Sequence, residues 1–162
     1  NIDKGEISSR FVNLKYIKKK EFYFFSNYFS PKSIDFKNHP QINSTFFWNK
    51  TNTQIRIKAK IYKADKDFSD KHFKKRSIEK NALAISSKQS QHINSYNEVI
   101  QKYESELESL RNQDSFERPD YWGGFYFIPY YFEFWIGNEY RINQRKEFVL
   151  DENIWTENIL QP

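Results

Sequence analysis

Arg141, Asn143 and Arg145 recur at every second position just after the most aromatic stretch of the chain, WGGFYFIPYYFEFW (Trp122–Trp135). In an extended strand that spacing puts two guanidiniums and an amide on one face. Arginine carries a planar fork of donors that suits carboxylate and phosphate oxygens, and the aromatic neighbours offer flat apolar surface. The chemistry this points to is the holding of a flat, anionic ligand. Gly124 to Trp135 is too rich in aromatics for a linker and reads as a long, largely buried strand. Gly137-Asn138 tolerates positive φ, so the chain is expected to turn there and return as a second strand over Glu139 to Arg145.

Other chemistries are excluded by composition. Cysteine is absent, which rules out disulfides, thiol nucleophiles and thiolate metal sites. His39, His72 and His92 are scattered without metal-ligand spacing. The net charge of +5 is concentrated in KYIKKK (Lys15–Lys20) and KHFKKR (Lys71–Arg76). Such runs are usually solvated turns or helix faces, and no helix-turn-helix, zinc-finger or RNP-type signature accompanies them. No nucleic-acid partner is expected. No apolar run approaches the ~20 residues of a membrane span and no signal peptide opens the chain, so no membrane partner and a soluble, cytoplasmic protein are expected.

The elements that must position these residues can be read in order. At 162 residues the chain is expected to form a single domain. Aromatics make up 19% and hydrophobic residues only 38%, so the core is expected to be built from Phe and Tyr. Asp3-Lys4-Gly5-Glu6 reads as a turn, Ser8 to Ile17 as a strand, and Glu21 to Tyr28 as its hairpin partner, with Lys18 to Lys20 at the turn. Ser30 and Pro31 suit the cap and first position of a short helix to about Asn38, which Pro40 ends. Thr45 to Asn49 and Thr53 to Tyr62 form a further pair, with Ile55, Ile57, Ala59 and Ile61 inward. Asp65 to Lys75 reads as a helix with Phe68, His72 and Phe73 on one stripe. Asn94 to Asn112 reads as the longest helix, capped by Ser95, with Val99, Ile100, Tyr103, Leu107 and Leu110 inward. Lys146 to Leu150 and Ile154 to Leu160 close the sheet. About seven hairpin-connected strands and few helices predict a mainly β fold, an antiparallel barrel with peripheral helices.

Taken together, SSRFVNLK (Ser8–Lys15), FFSNYFSPKS (Phe24–Ser33), QIRIKAKI (Gln54–Ile61), SSKQSQHI (Ser86–Ile93), WGGFYFIPYYFEFWIGNEYRINQR (Trp122–Arg145) and a terminal W-x₄-L-x-P from Trp155 to Pro162 resemble one family. It is the pyridoxamine (pyridoxine) 5′-phosphate oxidases, flavoproteins of the FMN-binding split-barrel fold. Order and spacing agree across nearly the whole chain. The family's N-terminal helix and first strand have no counterpart here, and a trimmed chain or an additional N-terminal segment is expected.

The resemblance implies FMN as cofactor, bound at the interface of a homodimer. It places cofactor contacts at Arg10, Phe11, Val12, Asn13, Leu14, Lys15, Phe25, Ser26 and Lys32, among which Arg10, Lys15, Ser26 and Lys32 grip the phosphate. Gln54, Gln89, Ser90, Trp135 and Arg145 are implied at the isoalloxazine ring. Where the family usually carries Arg-Lys after the helix-capping serine, this chain has Pro31-Lys32. The lost charged hydrogen bond is worth roughly 1.5–3 kcal/mol, so FMN binding is expected to survive but weaken.

The resemblance also implies a small phosphorylated pyridine substrate contacted by Lys15, His72, Arg76, Lys80, Arg141 and Asn143, with Arg141 and Asn143 over the reacting ring. His72 stands where the family has tyrosine, Lys80 where it has serine, and Asn143 where it has histidine. Asn143 can hydrogen-bond but cannot titrate near neutrality. The implied activity is FMN-dependent oxidation of pyridoxamine or pyridoxine 5′-phosphate to pyridoxal 5′-phosphate with O₂ as acceptor. A phenazine-pathway-like oxidase and a non-catalytic flavin-binding protein are the alternatives these substitutions leave open.

Overall fold

The long aromatic strand is the axis of the sheet. In the computed structural model, which describes residues 5–162, it is β5 (Trp122–Ile136). The elements before it are β1 (Tyr16–Lys18), β2 (Glu21–Asn27), α1 (Pro31–Asn38), β3 (Gln41–Trp48), β4 (Thr53–Lys63), α2 (Lys66–Lys75), α3 (Ile78–Ser86) and α4 (Tyr96–Arg111); β6 (Gln144–Asp151) and β7 (Ile154–Leu160) follow it.

One edge of β5 pairs with β4 along almost its whole length. The other edge is shared: Trp122–Phe127 pairs with β2, and Tyr131–Ile136 pairs with β6. Pro129 sits in the gap between those partners. It has no N–H to offer a ladder, and the register with β4 shifts beside it, where Lys58 pairs with Tyr131 and Ala59 with Pro129. A proline and a bulge therefore divide the sheet into two wings, β1-β2 and β6-β7, hung on a common β5-β4-β3 layer.

Alternation in β4 buries Ile55, Ile57, Ala59 and Ile61. They meet Phe24, Phe125 and Phe127 in the core, with Phe36 of α1 and Phe132 and Phe134 of β5 packed against it. The core is therefore only partly the Phe and Tyr core that the composition implied: among the described residues its buried members are Phe rings and β4 aliphatics, with no Tyr, and the rings meet edge-on and stacked, as at Phe24–Phe125 and Phe36–Phe125. Such pairs add roughly 0.5–1.5 kcal/mol each beyond area burial.

Several expectations need correction. Of the turn read at Asp3-Lys4-Gly5-Glu6, Asp3 and Lys4 lie outside the described residues. The strand over Ser8 to Ile17 shrinks to Tyr16–Lys18, after a last ladder-like bond from Lys15 N–H to the Tyr23 carbonyl. Beyond it, the Asn27 N–H of β2 is taken by the Gln89 side chain, so residues 8–14 have no ladder to join. The return strand is not Glu139–Arg145 but begins at Gln144. The intervening segment is a loop whose positive φ falls on Arg141 (φ 61), not on Gly137. Gly137 is required for space instead: a Cβ there would collide with the Asn52 amide. α3 (Ile78–Ser86) is a helix for which the sequence reading names no element. Ile100 of α4 is exposed, while Leu110 is buried. Among the described residues no helix is long and apolar enough to cross a membrane.

Candidate active site

At the β1-β2 wing, α1 begins beside the end of β2. Ser30 stands at its N-cap position but its hydroxyl does not cap; it donates to the Asn27 carbonyl and accepts from Lys32 Nζ at 3.0 Å. Lys32 is buried, and among the described residues no ion pair engages it. Burial, with the nearby charge of Arg10 adding to it, lowers its pKa to about 8. Ser26, also buried, donates to Gln89 Oε1 at 3.1 Å. Arg10, Lys32, Ser26 and Gln89 thus gather at one place. A buried cation without an acid suits an anion, and the positive end of the α1 dipole adds to it. Phe11, Val12 and Asn13 lie exposed along the segment that carries Arg10, whereas Leu14 turns toward the core. Ser90, in a left-handed conformation, is exposed near Gln89.

A second cluster forms where α2 crosses β2. The His72 ring stacks on Phe25 at 3.6 Å between centroids, and Trp122 lies nearly parallel to both. His72 Nδ1 is 2.8 Å from the Tyr16 hydroxyl. Burial first, then the charges of Arg76, Lys15 and Lys75, push its pKa down to about 4, so the ring is neutral at physiological pH. Arg76 lies over the Trp122 ring at 4.3 Å and donates through Nη2 to the Lys80 carbonyl. Among the described residues its Nη1 is buried without a partner, and burial lowers its pKa to about 10. Lys15, His72 and Arg76 are brought together as the sequence implied; Lys80 contributes its carbonyl, and its side chain is exposed.

The third group lies on the β6 side. Gln54 pairs with Trp135, and Trp135 with Arg145, so three residues separated widely in sequence form one cross-strand row. Arg145 is fixed by Glu133, with Nε and Nη2 at 3.0 and 2.9 Å from Oε1, and by the Gln161 carbonyl at 2.9 Å from Nη1. Arg56 and the Tyr131 hydroxyl take the other oxygen of Glu133. Burial alone would raise the Glu133 pKa, but these bonds outweigh it and hold the carboxyl below its usual range.

Beside this row, Asn138 and Asn143 close the loop. Asn143 Oδ1 accepts from the Asn138 N–H at 3.0 Å, Asn138 Oδ1 from the Tyr140 N–H, and the Asn138 carbonyl from the Arg141 N–H. Arg141 is exposed on that loop. The expected shared strand face of Arg141, Asn143 and Arg145 is therefore absent; a locked loop presents Arg141 instead.

Sequence reasoning missed Glu133, Arg118 and the reason for Gly123-Gly124. Arg118, nearly buried, pairs with Asp70 of α2 and donates to the Trp122 carbonyl. A Cβ at Gly123 would collide with the Tyr28 hydroxyl, and the Gly124 N–H is bonded by Ser69 of α2. The glycine pair lets α2 lie against β5, which sets His72 and Arg76 over Trp122. A buried acid flanked by aromatics, as Glu133 is in YYFEFW, was the available signal.

The profile of the pyridoxine 5′-phosphate oxidase C-terminal dimerisation region matches residues 122–162. A pyridoxine/pyridoxamine 5′-phosphate oxidase of Haemophilus influenzae is 33% identical over 160 residues, covering 99% of this chain and 75% of the relative. One from Coxiella burnetii is 35% identical over 152 residues, covering 94% and 76%. Among solved structures, PhzG of Burkholderia lata in complex with tetrahydrophenazine-1-carboxylic acid superposes with a TM-score of 0.89 at 24% identity, covering 98% of this chain and 77% of that one. A pyridoxamine 5′-phosphate oxidase-related, FMN-binding protein of Nostoc punctiforme gives 0.77 at 12% identity, covering 98% and 82%. The fold is the split barrel that the divided edge of β5 describes.

Proposed function

Because the chain belongs to the pyridoxine/pyridoxamine 5′-phosphate oxidase family of FMN-dependent oxidoreductases, we propose that it oxidises pyridoxamine or pyridoxine 5′-phosphate, with FMN held between two copies of the chain. The observation that carries the assembly is the separation of the half-sites. Ser26 pairs with Gly123, while Arg145 pairs with Trp135. At roughly 3.3 Å per residue those positions lie roughly 40 Å apart along β5, too far for one mononucleotide to follow within one protomer. The match to a dimerisation region and the exposed apolar side chains of Phe11, Ile142, Trp155 and Ile159 support a partner protomer that supplies the complementary half.

In this arrangement Arg10, Lys15, Ser26 and Lys32 hold the FMN phosphate. Gln54, Trp135 and Arg145 of the other copy meet the ring, where Arg145 neutralises the charge that develops on it. Gln89 and Ser90, implied at the ring, stand closer to the phosphate group in this arrangement. When bound, FMN supplies the hydride acceptor and delivers the electrons to O₂. The chain's own residues position and neutralise. Arg76, through its unpartnered Nη1, and Lys15 take the substrate phosphate, with neutral His72 as a further donor or acceptor. Arg141 orients the pyridine, and Asn143 keeps its NH₂ available beside it.

A second reading has one observation in its favour. Asn143 cannot titrate, and its oxygen is committed to the loop, which suits a flat substrate that asks for no proton at that edge, such as a molecule like the tetrahydrophenazine-1-carboxylic acid in the Burkholderia complex. Oxygen consumption by the FMN-loaded protein decides. Turnover with pyridoxamine 5′-phosphate, and a higher KM or lower kcat with flavin retained in Arg141→Ala, is expected. Turnover only with a reduced phenazine carboxylate would replace the first reading by the second; a protein that refuses FMN would remove both.

A further inference from the structure

Glu133 is the only acid among the buried polar residues of the described chain, and its place on β5 puts it on the same sheet face as Trp135, two residues away. An exposed ion pair seldom fixes a side chain, because both partners move. Here the acid cannot move: it is 3% exposed and held by Arg56 and by the Tyr131 hydroxyl at 3.1 Å. Arg145 is bound to this anchor through Nε and Nη2 on one side and to the Gln161 carbonyl through Nη1 on the other. Of the five N–H donors of a guanidinium, two are left over, one on each Nη. Without Glu133, Arg56 and Arg145 would share a face as unneutralised like charges.

We propose that Glu133 is a positioning residue for FMN binding, acting through Arg145, whose guanidinium it fixes so that two donors remain directed to the flavin. The inference rests on the proposed contact of Arg145 with the ring. Tyr131 supports the same anchor from behind, and burial, with its bonds to Glu147 and Glu133, pushes its pKa up to about 12, so it stays a donor throughout the working range.

The test is a double-mutant cycle on FMN affinity, read from flavin fluorescence during titration of the apoprotein with FMN. Arg145→Met should weaken binding by about tenfold or more. Glu133→Gln should weaken it by about tenfold when Arg145 is present and by less than about twofold in the Arg145→Met background, because residues acting through one contact are not additive. An equal fold-loss in both backgrounds overturns the inference while leaving the flavin contact standing. Unchanged affinity in Arg145→Met overturns the flavin contact itself and the inference with it. If circular dichroism shows Glu133→Gln unfolded, Tyr131→Phe goes through the same cycle. A loss of about threefold with Arg145 present and none without it is expected; equal losses again overturn it.

Discussion

Arg10 and Arg145 are assigned to the same cofactor, yet the molecule treats them in opposite ways. Arg145, on β6 beside β5, is clamped by a buried carboxylate and a backbone carbonyl. Arg10 extends from an exposed segment beyond the end of β1, with the Ser8 hydroxyl as its hydrogen-bond partner. The difference follows what each must hold. A ring edge asks for donors at fixed angles, which a strand register supplies. A phosphate is symmetric and strongly charged, so it accepts a guanidinium from many directions. Of the two proposed contacts, Arg145 is therefore built into the fold, whereas Arg10 is held only from within its own segment.

Breaking this comparison begins with Arg10→Ala. Loss of a charged hydrogen bond should weaken FMN by roughly 10- to 150-fold, about 1.5–3 kcal/mol, and leave the melting temperature of the apoprotein unchanged. Flavin titration and a thermal melt check both; a lower melting temperature would show that Arg10 belongs to the fold. Next in size is a pH effect. With the Lys32 pKa near 8 before binding, a phosphate that requires the ammonium must recruit a proton above that pH, so FMN affinity should be roughly tenfold lower at pH 9 than at pH 7. A flat profile would remove Lys32 from the grip.

Gly123→Ala probes the seating of α2 against β5. Its Cβ would press on the Tyr28 hydroxyl and meet Ser69 Oγ at 3.1 Å, so overpacking should destabilise by about 1–3 kcal/mol and lower Tm by several degrees. An unchanged Tm would mean that α2 can shift away from β5. The last effect concerns His72. Its pKa is about 4 in the fold against its usual 6.5, so between those values the unfolded chain binds more protons. Its contribution to stability is full above pH 6.5 and is lost as pH falls toward 4. Replacing His72 with Gln should flatten that part of the stability profile; an unaltered slope would place the titration elsewhere.

Much of the ring half was legible in the sequence because strands have a fixed period. The aromatic run gave β5, the alternation of Ile55 to Ile61 gave β4, and their antiparallel pairing brings Gln54, Trp135 and Arg145 into one row. The site residues of both halves were named through resemblance, not periodicity, and among the described residues the segment around Arg10 joins no strand ladder. What failed locally was the return from β5. Positive φ was assigned to Gly137, the residue that tolerates it most easily, but the Asn138–Asn143 closure places it on Arg141. Glu133 escaped notice because strand residues are judged by their apolar neighbours, whereas its partners, Arg56 and Arg145, come from two other strands.

In the proposed dimer each cofactor site joins the phosphate half of one chain to the ring half of another. Co-expressing Arg10→Ala and Arg145→Met chains with different tags, and purifying the mixed dimer, tests it directly. In that dimer one site carries both lesions and the other neither, so flavin absorbance should report about one FMN per dimer, while each homodimer of a variant holds little. A mixed dimer as empty as the homodimers would mean that each chain builds its site alone, and would contradict the account.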